Sequence, residues 1–163
     1  MKLIQCVLLL FVLFATVNRA CAFDSACEPI LAAGEARSRT PAWHSLTVIN
    51  DSMKIEYMKS GTAYFMRSDG GSWKKAPSNI EQAERNFAGQ VRSDKIKMTD
   101  CKNEGSQTVA GVDVEVISYT VEMAGVPPSS AKLSIGKLDR LPYALSSKTT
   151  NVVYRYRDIE TPK

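Results

Sequence analysis

The amino-acid sequence predicts an α+β domain in which antiparallel strands meander before and after a second of two helices. Three observations carry that expectation. Beyond residue 40 most of the chain runs as short segments rich in β-branched and aromatic residues, separated by turn pairs such as Asn50-Asp51, Ser60-Gly61 and Gly70-Gly71. Two stretches, beginning at Ser25 and at Ser78, instead show a capping pattern followed by apolar residues at three- and four-residue spacing. No internal repeat and no low-complexity tract interrupts this order.

The chain opens on a leader. Met1-Lys2 precedes a nearly all-apolar run from Leu3 to Val17, and Ala20-Cys21-Ala22 puts small residues where a signal peptidase reads. That run falls short of the roughly 20 residues that cross a bilayer. Residues 1–22 are therefore expected to be a signal peptide cut before Phe23, with residues 23–163 forming a single domain. A lipid anchor at Cys21 is the lesser alternative, because Asn18 and Arg19 stand where lipid-attachment signals want apolar and small residues.

Removing 22 of the 163 residues leaves 141, enough to bury roughly two-thirds of the surface of the unfolded chain. Cys6 and Cys21 leave with the leader, so Cys27 and Cys101 remain. An even pair in an exported chain reads most simply as a disulfide, the alternative being two unrelated buried thiols. Losing Lys2 and Arg19 takes the net charge from +4 to +2. With both signs scattered along the chain, this balance lacks the concentrated basic surface of a nucleic-acid binder.

Taken in order, Ser25-Ala26-Cys27-Glu28 fits a capping box, and Pro29 is tolerated in a first turn. A helix is expected from there until Arg39-Thr40-Pro41, with Cys27, Ile30, Leu31 and Gly34 on its inner face. Trp43 to Ile49, Met53-Ile55-Tyr57, Tyr64-Phe65-Met66 and Ser72-Trp73-Lys74 then read as a four-stranded meander. Ala76-Pro77 breaks it. Ser78-Asn79-Ile80-Glu81 is the second capping pattern, and Ile80, Ala83, Phe87 and Val91 mark one face of a helix ending near Asp94. Glu81, Arg85 and Arg92 lie off that face and are expected to be solvated. Lys97 to Glu104, carrying Cys101 beneath the first helix, and Val114 to Met123 are strands, the latter entered through an Ala110-Gly111-Val112-Asp113 turn. Val126 to Ser130, with two prolines, reads as a loop, and Ala131 to Lys137, Tyr143 to Thr149 and Val152 to Arg157 complete the sheet.

The stretch "AKLSIGKLDRLPYAL", Ala131 to Leu145, is a strand, a short polar turn and Leu141-Pro142 opening a second strand. Together with a final strand "VVYRYRDIETP" it resembles the tail of the LolA/LppX-like proteins of the bacterial envelope. The order helix, meander, helix, longer meander is similar over nearly the whole mature chain. This resemblance implies a strongly curved antiparallel sheet, an open half-barrel, covered on its concave side by about two helices. It further implies a hollow that takes up acyl chains of lipids or lipoproteins, and a periplasmic location, secretion being the alternative. The chain is shorter than the carriers of that family, which leaves less room for a deep cavity, and no binding residue is carried over from them. Pro142 lacks an amide hydrogen and so suits the first residue of a strand. Leu141 beside it can plug the end of a hollow.

Signatures of chemistry are missing. His44, the only histidine, stands beside Trp43 at a strand start as a packed residue rather than a base. There is no Gly-x-Ser-x-Gly elbow, and bridged cysteines leave no thiol nucleophile. Asp94, Asp100 and Glu104 are too scattered for a metal cage, so neither metal nor cofactor is expected. Gly136-Lys137 lacks the second glycine and the hydroxyl residue of a phosphate loop. Lys74 and Lys75 beside Trp73 read as a solvated edge.

Alternation instead puts Ile117, Tyr119 and Val121 on one face, Leu133 with Ile135 on the next, and Val152, Tyr154 and Tyr156 on the last. Most of these are core. If the concave face is incompletely filled, Phe87, Tyr119, Leu133, Leu141 and Tyr154 are the expected walls of an apolar slot. The expected function is then non-enzymatic binding of a lipid, a lipoprotein acyl chain or a similar apolar ligand. The alternative is an envelope protein-interaction module, an inhibitor or sensor on the same fold without a cavity.

Overall fold

A computed structural model of the chain describes residues 23–76 and 80–162. The expected leader, residues 1–22, and the Pro77-Ser78-Asn79 start of the second capping pattern lie outside the described residues.

A 3-10 turn, Ser25–Cys27, runs into α1, Glu28–Arg39. The cap falls one residue earlier than expected, because Asp24 is still extended while Ser25 has already entered the turn. The Asp24 carboxylate accepts the Ala26 amide at 2.9 Å. Thr40 ends α1 by donating both its amide and its hydroxyl to the Arg37 carbonyl. There follow β1 (Ala42–Ile49), β2 (Met53–Ser60), β3 (Ala63–Ser68), β4 (Lys74–Lys75), α2 (Ile80–Arg92), β5 (Lys97–Val109), β6 (Val112–Met123), β7 (Val126–Gly136), β8 (Pro142–Ser147) and β9 (Thr150–Arg155).

All nine strands form one antiparallel sheet in the order β4-β3-β2-β1-β9-β8-β7-β6-β5. The chain begins the sheet in its middle and meanders out to β4. It then crosses through α2 to the opposite edge and returns strand by strand until β9 lies against β1, with His44 opposite Arg155. The sheet stays open, a half-barrel with α1 and α2 on its concave side. Positive φ at both centres of the Asn50-Asp51 and Ala110-Gly111 turns gives the tight connections whose twist matches the flanking strands.

Three stretches depart from expectation. Val126 to Ser130 is not a loop but the start of β7, paired to β6 through Val121 with Ser129 and Met123 with Val126. β8 joins β7 only from Ala131 onward, and Pro127 and Pro128 fall within the register shift of β7 against β6, where no regular ladder pair calls on their amides. Trp73 stays out of β4, its ring lying 4.6 Å from the guanidinium carbon of Arg67. β5 continues past Glu104 to Val109, with register shifts between Thr99 and Gly105 that bend the edge strand. As expected, Pro142 is the first residue of its strand.

Ile30, Leu31 and Ala33 of α1 and Ala88 and Val91 of α2 pack on Met98, Ile117, Tyr119, Leu133 and Ile135 of β5, β6 and β7. Cys27 and Cys101 are disulfide-bonded across 74 residues, tying the start of α1 to β5. Arg92 of α2 reaches Glu28 at 2.8 Å and Glu35 at 2.5 Å on α1. Lys59 of β2, almost fully buried, pairs with Glu81 and donates to the Ser38 carbonyl at 3.0 Å. Glu81 is thus a partly buried cross-link rather than a solvated residue, and Arg92, although exposed, ties α2 to α1. Arg85 remains half-exposed.

Candidate functional site

The two helices do not fill the space above the sheet. Between them and β6 to β9 lies a hollow of about 340 Å³. α1 lines it with Ile30, Leu31 and Gly34, which the helical spacing puts on one face. α2 contributes Ile80, Ala83, Phe87 and Ala88 by the same rule. The floor is Tyr119 of β6, Leu133 of β7, Pro142 and Leu145 of β8, and Tyr154 of β9. The volume lies in the lower part of the roughly 300–1,000 Å³ usual for small-molecule sites. Burial pushes the Tyr119 hydroxyl up to about 12, so it stays a neutral hydrogen-bonding group within an apolar lining.

Four of the five residues singled out as walls, Phe87, Tyr119, Leu133 and Tyr154, border this one space. Leu141 does not, and Pro142 takes its place. Successive residues at a strand start face opposite ways: Pro142 is buried, while Leu141 is half-buried and gives its carbonyl to the Gly136 amide across the turn.

One end of the hollow is charged. Arg37 of α1, only 7% exposed, is ion-paired with Glu84 of α2. Its guanidinium carbon lies 4.6 Å from the Trp43 ring centre and 4.7 Å from that of Tyr154. Beyond it a smaller space of about 260 Å³ opens over β1 and β2, lined by Trp43, Ser45, Thr47 and Tyr57 among others. Arg37, Ile80 and Tyr154 border both spaces and form the partition between them. The pair is incompletely satisfied: Arg37 Nε and Glu84 Oε2 are buried with no hydrogen-bond partner. Sequence reasoning missed both residues. The signal was a charge on an apolar stripe, Arg37 seven residues after Ile30 and Glu84 four after Ile80.

His44 lies outside this hollow, on the other face of the sheet, bonded to Glu56. Among the described residues, no three His, Cys, Asp or Glu side chains gather as a metal cage, and no helix is long and apolar enough to cross a membrane.

An open antiparallel half-barrel with helices over a concave hollow is the LolA/LppX-like fold, and the chain has that fold. It is similar to LprF from Mycobacterium bovis, with a TM-score of 0.54 and 9% sequence identity over 85% of this chain and 96% of that one. It is similar also to the lipoprotein LppX of Mycobacterium tuberculosis, with a TM-score of 0.52 and 9% identity over 83% and 97% of the two chains. No protein-family model and no curated protein matches the sequence. At these identities the likeness is one of fold.

Proposed function

We propose that this is an exported, non-enzymatic protein that holds one apolar chain, such as a lipid or lipoprotein acyl chain, between α1, α2 and β6 to β9. The observation that carries the reading is an apolar hollow ending in the Arg37–Glu84 pair with two buried polar atoms unpartnered. A buried N–H and a buried carboxylate oxygen each lack a partner, which is costly unless a ligand or water supplies it. An amide or hydroxyl head both accepts from Arg37 and donates to Glu84. A free carboxylate accepts only, and it meets a guanidinium already neutralised. The half-barrel fold and the family resemblance of the Leu-Pro hairpin support an acyl chain as the occupant. The leader supports export to the periplasm, or secretion, with cleavage before Phe23. The intact mass of the exported protein tests this, and acyl groups on Cys21 would overturn it.

The test of the binding reading is calorimetric titration of the mature protein with decanol, decanamide and decanoate, repeated on Gly34→Leu. A Cβ added at Gly34 meets nothing within 4 Å. Leucine there fills the hollow while replacing a glycine in mid-helix, so the fold is retained and gains about 0.5–1 kcal/mol. The expected result is one saturable site, with the two neutral heads bound several-fold tighter than the carboxylate and all binding lost in the variant. No saturable binding by any of the three overturns the lipid reading and leaves the protein-interaction reading in its place. Equal binding to Gly34→Leu moves the ligand out of this hollow.

A further inference from the structure

The face of the sheet turned away from the helices carries a charged network that the hollow does not use. Trp43 and Ser45 face Arg37 on the concave side, so His44 between them faces the other way. It is 5% exposed, and both ring nitrogens are engaged. Nε2 lies 2.8 Å from Glu56 Oε2 and Nδ1 lies 3.3 Å from Arg155 Nη2. A guanidinium only donates, so Nδ1 accepts and the ring hydrogen on Nε2 goes to Glu56. Arg67 grips the same carboxylate with Nε at 2.8 Å and Nη2 at 2.9 Å. Trp73 covers Arg67 and meets His44 edge-on at 6.0 Å. The relay Arg67, Glu56, His44, Arg155 is set by the register of β3, β2, β1 and β9.

Its charges do not cancel. Glu56 is taken up by Arg67 and His44, whereas Arg155 leans on a neutral ring nitrogen. Among the described residues, neither Arg155 nor Lys54 has a carboxylate within ion-pair distance. Asp69, the one other acid here, accepts the Lys54 backbone amide at 2.9 Å. These groups border a recess of about 750 Å³ with Leu46 and Val153 in it, and Val153 is 43% exposed.

The geometry points to a second binding site in this recess, for a small organic anion: a carboxylate or phosphate monoester on an apolar or aromatic body. Arg155 offers a guanidinium fork held in orientation by a buried histidine, Lys54 adds a mobile positive charge, and Leu46 with Val153 receives the apolar body. No residue is shared with either concave space, so this site stands or falls apart from the lipid reading.

His44 is the only histidine, so its imidazole NMR signals are unobstructed. Phenyl phosphate, benzoate, inorganic phosphate and phenol, titrated in turn, separate the two contributions. Phenyl phosphate and benzoate should shift the His44 ring and Arg155 Nε signals saturably, with inorganic phosphate weaker and phenol without effect. Arg155→Gln, at an exposed side chain, should weaken phenyl phosphate by about tenfold or more, the loss of one charge-assisted hydrogen bond. Lys148→Gln, an exposed cation elsewhere, should change nothing. No saturable shift with either organic anion, or equal weakening by the two substitutions, overturns the site.

Discussion

The guanidinium carbon of Arg37 lies 4.7 Å from the centre of the Tyr154 ring, and this contact divides the concave face into two spaces. Arg37 comes from α1 and Tyr154 from the last strand, so the partition joins the two ends of the domain. Glu84 of α2 completes it from above.

Arg37→Met keeps an unbranched apolar stem and removes the guanidinium, leaving Glu84 unpaired. Breaking a buried ion pair from one side costs about 3–5 kcal/mol. The Glu84 side chain is 24% exposed, so a smaller loss of about 2–3 kcal/mol is expected. Adding Glu84→Gln should recover part of it. Urea unfolding of the single and double variants measures both, and an unchanged loss in the double variant would show that the pairing is not what stabilises the partition.

Acid should destabilise the fold through two carboxylates. The Arg67 hydrogen bonds hold Glu56 below its ordinary value of 4.5 despite its burial. Burial pushes Glu81 up, but the hydrogen bonds from Lys59 and Tyr64 outweigh it and the net direction is down. Both groups bind a proton more readily in the unfolded chain. Their contribution is therefore complete above about pH 4.5 and is lost as pH falls through the lowered folded values. The urea midpoint should drop below that pH, and less steeply in Glu56→Gln. A variant as acid-sensitive as the wild type would remove Glu56 from the explanation.

The Cys27–Cys101 bridge closes a loop of 74 residues, for which chain entropy alone suggests about 4 kcal/mol. Cys27→Ala/Cys101→Ala should lose about 3–4 kcal/mol in urea unfolding. Thiol titration of the denatured, unreduced mature protein should find no free sulfhydryl, and two reactive thiols would contradict the bond.

Much of the fold was legible because its signals are local. Pro142 could only begin a strand, Asn50-Asp51 had to turn, and Ile80, Ala83, Phe87 and Val91 could share a face only as a helix. The Val126–Ser130 strand was illegible for the opposite reason. A proline spoils a strand only where its amide would have made a ladder bond to a neighbour, and where β6 shifts register and how far β8 reaches are decided by tertiary pairing. Four walls of the hollow follow from alternation and helix face, while Leu141 failed because a one-residue offset at a strand start reverses the side chain.

Composition and periodicity were enough to predict the class of domain, its two helices and most of its strands, since each depends on neighbours within a few residues. Whether the helices seal the sheet or leave a space above it is a matter of how side chains from six elements fill a common volume, and no local pattern encodes that sum. The charged partition belongs to the same category. Arg37 and Glu84 are 47 positions apart, and each reads alone as a charge on an apolar stripe with nothing to name its partner. Only the docking of α1 against α2 over Tyr154 buries them together and leaves Nε and Oε2 without partners.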